Sequence, residues 1–132
     1  MLIVDSGTKS STKEVVAEVR NWKNSHEQEF DSACKEYLKV YRLAKEALYK
    51  GDVQKIGEAM NYNHSLLKRV GVSNEKIEQI IDTCESEGVL GAKLTGAGKG
   101  GMVIALCHNQ EKIRKIAGIF ESVGHKAYIV NI

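Results

Sequence analysis

The sequence contains no proline. Any motif built on proline is therefore excluded, and helix boundaries must be marked by capping side chains and glycines. Cysteine is scarce as well. Cys34, Cys84 and Cys107 are scattered, odd in number and without Cys-x-x-Cys spacing, which points to neither a disulfide framework nor a zinc site and fits a reducing cytoplasm. No apolar run approaches the roughly 20 residues of a membrane span, and Met1 to Val4, followed at once by Asp5, is too short for a secretory signal. An excess of one charge is also lacking: 19 basic against 17 acidic residues leave a formal charge of +2, which suggests no nucleic-acid partner. A chain of 132 residues is long enough for one domain with its own core, and residues 1–132 are expected to form a single one.

Glycine, by contrast, is plentiful. The chain is organised around Lys93-Leu94-Thr95-Gly96-Ala97-Gly98-Lys99-Gly100-Gly101-Met102-Val103-Ile104-Ala105-Leu106, a glycine cluster between two apolar runs. Leu2 to Val4 reads as a short strand. Ser11 and Glu14 have capping-box spacing and predict a helix carrying Val15, Val19 and Trp22 on one stripe. A longer helix follows, with Phe30, Cys34, Tyr37, Leu38, Tyr41, Ala44 and Leu48 as its expected buried face and Gly51 as its end. Tyr37 and Tyr41 are read as core.

Asp52 is the expected cap of a third helix, with Val53, Ile56, Met60, Leu67 and Val70 inward and Asn63 among them, ending at Gly71, and His64 is read as a hydrogen-bonded histidine at the helix edge rather than a ligand. Ser73 is the expected cap of a fourth, whose Ile77, Ile80, Ile81 and Cys84 point inward until Gly88. The period then changes. Val89 to Thr95 and Met102 to Cys107 read as strands, a helix after Asn109 carries Ile113, Ile116, Ala117 and Phe120, and Ala127 to Ile132 reads as a last strand. The predicted class is α+β: a four-stranded antiparallel sheet in ferredoxin-like βαββαβ order, helices on one side, with the first crossover enlarged into a helical cluster.

Gly96-x-Gly98-x-x-Gly101 satisfies the letter of a dinucleotide fingerprint, but that motif runs from a strand into a helix and this one is followed by a strand. A phosphate-binding Walker loop is excluded too, because Lys99 is followed by Gly100 and not by Ser or Thr. Two readings of the loop remain open: a wide structural turn, or a set of backbone amides facing an anion or another loop.

Lys93 to Gly98, followed by Gly100, Gly101 and an apolar strand, resembles the third sequence motif of the GHMP kinases, a family of small-molecule kinases. Met60-Asn61-Tyr62-Asn63-His64-Ser65-Leu66-Leu67 with Gly71-Val72-Ser73, and Ser11-Thr12-Lys13-Glu14 with Val19-Arg20, are similar to stretches of the mevalonate-kinase branch. The resemblance implies a C-terminal domain of an enzyme that moves the γ-phosphoryl of ATP, with Mg²⁺, to the hydroxyl of mevalonate or a relative in isoprenoid synthesis. It also implies that the N-terminal ATP-binding domain, with the main phosphate loop and the catalytic Asp, is absent. The chain is expected to be inactive alone and to hold no metal or ATP tightly. The surface facing the missing half would equally allow a homodimer, and a metabolite-binding regulatory module or one subunit of a split kinase are the alternatives.

By the same resemblance, Thr12 and Ala97 are expected to face the substrate, and Gly96, Gly98, Lys99, Gly100 and Gly101 the nucleotide phosphates. No catalytic group is assigned to this chain. Thr12 also begins a helix, where free N–H groups and the dipole favour an anion. Lys99 stands where many relatives carry glycine, and two fates are open to its ammonium: solvent, or a nucleotide phosphate.

Overall fold

The computed structural model of the chain describes residues 1–131. Strand β1 (Leu2–Asp5) is followed by helices α1 (Thr12–Ser25), α2 (Glu27–Lys50), α3 (Val53–Arg69) and α4 (Glu75–Ser86). Then come β2 (Gly91–Thr95), β3 (Met102–Leu106), α5 (Gln110–Ser122) and β4 (Ala127–Ile129). All neighbouring strands are antiparallel, in the order β2-β3-β1-β4, which is the predicted α+β arrangement with α1 to α4 filling the first crossover. Strands β2, β3 and β4 are shorter than the apolar runs suggested, β1 extends one residue further to Asp5, and Ile132 of the last run lies outside the described residues.

Alternation within the strands builds the core. Leu2, Val4, Ala92, Leu94, Val103 and Ala105 point to one face of the sheet and meet Ile77, Ile80, Ile81 and Cys84 of α4 and Ile113, Ile116, Ala117 and Phe120 of α5. Each fully buried aliphatic side chain stabilises the fold by about 1.5–3 kcal/mol. Burial pushes the Cys84 thiol up to about 12, with the Glu85 charge adding to the effect, so this cysteine is a packing group rather than a nucleophile.

Caps decide where the helices start. Ser11 Oγ accepts from the Glu14 amide at 3.5 Å, but the returning bond from the Ser11 amide to the Glu14 carboxylate is not among those formed by the described residues, so only one arm of the capping box is made. Asp52 caps α3 through the Lys55 amide at 3.1 Å. The cap of α4 is Asn74, which accepts from Ile77 N, and not Ser73. Ser73 spends its hydroxyl on the Glu78 carboxylate instead.

Two helical faces differ from expectation. In α2 the buried row is Ala33, Val40 and Ala47, while Tyr37, Tyr41 and Leu48 are 50%, 57% and 65% exposed. Small residues let α2 approach α3 closely, so the large side chains of the predicted stripe are pushed to the flank. The residues of α3 buried most deeply are Gly57, Ala59, Asn63, His64 and Leu66, with the predicted Ile56, Met60 and Leu67 only half-buried. The cause is that α3 lies along the free edge of β2. Asn61 Oδ1 accepts from Ala92 N at 2.8 Å and His64 Nδ1 from Leu94 N at 3.3 Å, which satisfies strand amides that would otherwise invite another strand.

Candidate functional site

The glycine cluster is the tip of the β2–β3 hairpin, so the chain enters and leaves it as strand. A dinucleotide-type strand-to-helix turn is ruled out by that geometry. Two other segments hold the loop from below. Ser10 Oγ donates to Gly98 O at 2.6 Å, Lys99 N donates to Val72 O at 2.6 Å, Gly101 N donates to Thr8 O at 3.0 Å and Ser6 N donates to Gly101 O at 2.9 Å. The backbones touch. A Cβ on Gly98 would lie 2.4 Å from Val72 O, and one on Gly100 would lie 2.4 Å from Thr8 O. At the tip, Gly96 is exposed and Ala97 half-buried, and among the described residues neither amide donates to a backbone carbonyl. Two unspent donors at the end of a rigid hairpin can meet an anion or an acceptor on a facing surface.

Thr12, the first residue of α1, is exposed, and Ser10 two positions earlier ties this segment to the loop. The start of α1 and the glycine tip therefore share one corner of the molecule. Sequence reasoning missed Thr8, Ser10 and Val72, the residues that anchor the loop. Thr8 Oγ1 is buried there without a hydrogen-bond partner among the described residues. Nothing local marks Ser10 as a partner of Gly98, because the pairing is a long-range one and the serine reads equally well as part of the helix start.

Lys99 has φ 52°, the only non-glycine residue with positive φ among those described, and its ammonium pairs with the Glu18 carboxylate of α1 at the surface. Its side chain is thus held by the same helix that presents Thr12. Lys99→Gly removes backbone strain of about 1 kcal/mol and an exposed ion pair contributing about 0.5 kcal/mol, while adding unfolded-chain entropy of about 0.7 kcal/mol. Unfolding stability should stay within about 0.5 kcal/mol of the parent in a denaturant titration. A loss of about 2 kcal/mol would mean that the Glu18 contact holds the loop in place.

The sequence pattern described as GHMP kinases C terminal matches residues 44–126, well over half of the chain. The chain belongs to the GHMP kinase family. It is 36% identical to the mevalonate kinase of Thermococcus gammatolerans over 96% of its own length and 39% of that enzyme's, and 35% identical to that of Pyrococcus abyssi over the same shares. It thus spans about two fifths of the length of these curated relatives. The L. major mevalonate kinase solved with R-mevalonate superposes with a TM-score of 0.86 at 35% identity, covering 93% of this chain and 37% of that one. The Methanococcus jannaschii mevalonate kinase gives 0.75 at 33% identity, covering 98% and 39%.

In this GHMP domain the loop's anchors are themselves anchored. Glu78 of α4 receives hydrogen bonds from Lys68 Nζ at 2.6 Å, from His64 Nε2 at 3.0 Å and from Ser73. Because His64 Nδ1 accepts from Leu94 N, its ring proton lies on Nε2, facing Glu78. One carboxylate thus links β2, just before the loop, to Ser73, next to the carbonyl that holds Lys99. His64 is a structural residue rather than a ligand.

Burial raises the Glu78 carboxyl, but the hydrogen bonds from Lys68 and Ser73 and the neighbouring His64 outweigh it and leave the group below its ordinary value. A depressed carboxylate stabilises the fold above the unfolded-state pKa, and this contribution is lost as pH falls through the folded value. Between about pH 6 and about pH 3 the parent should lose about 1 kcal/mol more stability than Glu78→Gln. Parallel acid-melting curves for the two proteins would show that the carboxylate carries no such linkage.

Among the described residues no group of three or more His, Cys, Asp or Glu side chains is placed to hold a metal ion, and no helix is long and apolar enough to cross a membrane.

Proposed function

We propose that the chain is the C-terminal half of a mevalonate-kinase-type GHMP kinase, contributing one wall of a site where the γ-phosphoryl of ATP passes to a hydroxyl of mevalonate. The observation that carries this reading is the rigid hairpin tip with unspent amides at Gly96 and Ala97, set in the same corner as the start of α1. The similarity to mevalonate kinases across nearly the whole chain supports the substrate class.

Phosphoryl transfer depends on positioning and charge stabilisation far more than on covalent chemistry by the protein. In this reading the loop Gly96 to Gly101 lies on the phosphate side and presents the Gly96 and Ala97 N–H groups as fixed donors that need no reorganisation during transfer. Thr12 offers a hydroxyl and a first-turn amide to the substrate's carboxylate, where the helix dipole favours negative charge. Ala97, between two glycines, leaves room for the substrate beside the tip. Lys99, engaged by Glu18, takes no part in phosphate binding. Mg²⁺ would neutralise phosphate charge when present with ATP, and this chain is assigned none of its ligands. The phosphate loop and catalytic base belong to an N-terminal half, so the chain alone is inactive. Its three thiols are all free, which suits a reducing cytoplasm.

The test is a fused protein in which this chain replaces the matching C-terminal portion of the Thermococcus gammatolerans enzyme. It should phosphorylate mevalonate, and Thr12→Val should raise KM for mevalonate about tenfold, roughly 1.4 kcal/mol of lost binding, with KM for ATP unchanged. Tight binding of an unrelated metabolite by the isolated chain in calorimetry, with an inactive fused protein, would favour a regulatory module instead.

A further inference from the structure

We propose that the outer face of the sheet and the tyrosine flank of α2 form the seat of the ATP-binding half, and that Lys93 on the floor of this seat pairs with a carboxylate of that half. The inference rests on the two-part kinase reading above and goes beyond it in naming the surface and the contact.

The sheet has two faces and only one carries the main core. On the other, pairing across the strands sets Lys93 beside Ile104, Ile104 beside Ile3 and Ile3 beside Tyr128. Between this row and helices α2 and α3 runs an apolar groove of about 370 Å³, with Tyr37, Tyr41, Leu48 and Met60 on its walls and Lys93 and Ile104 on its floor. It continues past Tyr41 and Leu48 into a second hollow of about 540 Å³ that reaches Tyr49, which is 83% exposed. Large apolar side chains gathered on one exposed flank, beside a sheet face that carries no main core, suit a surface that another body covers. It also explains why the large residues of α2 are absent from the core of this domain.

Lys93 is out of place in such a groove. It is half-buried, and among the described residues no carboxylate lies within ion-pair distance of it. Burial alone acts on its ammonium, holding it below the ordinary lysine value. Covering such a charge without a partner is unfavourable, and a carboxylate on the docking body offsets that cost.

Two observations identify the occupant. Lys93 and Ile104 lie on the body of the hairpin whose tip is the glycine loop, with only Thr95 and Met102 in the next row, so a body that closes over the tip also descends on this face. The match covers only 39% of these relatives' length, so each carries ample further polypeptide to cover such a face. A second copy fits less well. The lining of both hollows contains lysines and no Asp or Glu, so groove against groove would gather positive charge without a counter-ion.

The experiment is lysine acetylation and tyrosine oxidation footprinting of the isolated chain and of the fused protein, read by mass spectrometry. In the fused protein, labelling at Lys93, Tyr41 and Tyr128 should fall at least fivefold, with Lys45 at the rim changing less. With the two halves expressed as separate chains, Lys93→Glu should weaken their association at least tenfold. Tyr128→Glu, at a more exposed position, should also weaken it, and neither should unfold the isolated chain. Full labelling of the groove in an active fused protein would overturn the proposal and leave the kinase reading standing. Groove protection already present in the isolated chain, with a dimer in sedimentation, would overturn it in favour of a second copy. Separate halves that do not associate, with an inactive fused protein, would overturn both readings.

Discussion

Gly98→Ala should lower stability by about 3 kcal/mol, which for a chain of this size is a fall in melting temperature of about 10 °C. Two costs combine. At φ 98° any side chain is strained, and the new methyl would lie 2.4 Å from Val72 O and 2.6 Å from Val72 Cβ. The carbonyl cannot simply move aside, because it accepts the Lys99 amide at 2.6 Å. Gly96→Ala supplies the control. Its φ of 93° is equally strained, but no atom lies within 4 Å of the added Cβ, so it should cost only about 1 kcal/mol. The difference isolates the backbone contact under the loop from conformational strain. In the fused kinase Gly98→Ala should also reduce turnover well below the level its stability predicts, because the tip is displaced from its anchors. Equal costs for the two variants would show that the Val72 contact does not constrain the loop.

Gly57→Ala should be destabilising by about 3 kcal/mol, although replacing glycine by alanine inside a helix ordinarily helps by about 1 kcal/mol. The sign reverses because α3 passes so close to the strand edge that the added Cβ would sit 2.4 Å from Leu90 O and 2.6 Å from Leu90 C. Pushing α3 away would also stretch the bonds from Asn61 to Ala92 and from His64 to Leu94. Amide exchange at Ala92 and Leu94 should therefore accelerate along with the loss in melting temperature. Gly118→Ala in α5, with nothing within 4 Å of the new methyl, should do the opposite and stabilise by about 1 kcal/mol. Two substitutions of identical chemistry then differ in sign for a reason visible only in the packing.

That pair marks the boundary of what the sequence discloses. Strand order, helix count and the faces of α4 and α5 follow from periodicity, because those elements bury one continuous apolar stripe each: Ile77, Ile80, Ile81 and Cys84, or Ile113, Ile116, Ala117 and Phe120. The glycine loop was legible as a strand-to-strand turn, and Thr12 as a helix start, for equally local reasons. The face of α2 was not. Its larger apolar side chains mark a surface, and alanines and one valine mark the helix contact, so a rule that seeks the largest residues selects the wrong row. The same holds for α3, where Asn61 and His64 serve the strand backbone and no hydrophobic signal announces it. Long-range anchors such as Ser10 to Gly98 and Lys99 to Val72 leave no trace in spacing, because hydrogen bonds between distant segments impose no period on the chain. Lys99 is intermediate: the sequence set out two fates for its ammonium, and the structure adds a partner on a neighbouring helix, Glu18, that no spacing announces.

The central claim is that this domain is one wall of a phosphoryl-transfer site and needs a second half. The direct measurement is ATP-dependent phosphorylation of mevalonate by the purified chain, assayed alone and then fused to the N-terminal portion of the Thermococcus gammatolerans enzyme. The account predicts no turnover from the chain alone, and turnover in the fused protein that Gly98→Ala reduces well below the level its stability predicts and Lys99→Gly spares. Turnover by the isolated chain, freed of contaminating kinase, would contradict it, as would a fused protein whose activity is indifferent to the glycine loop.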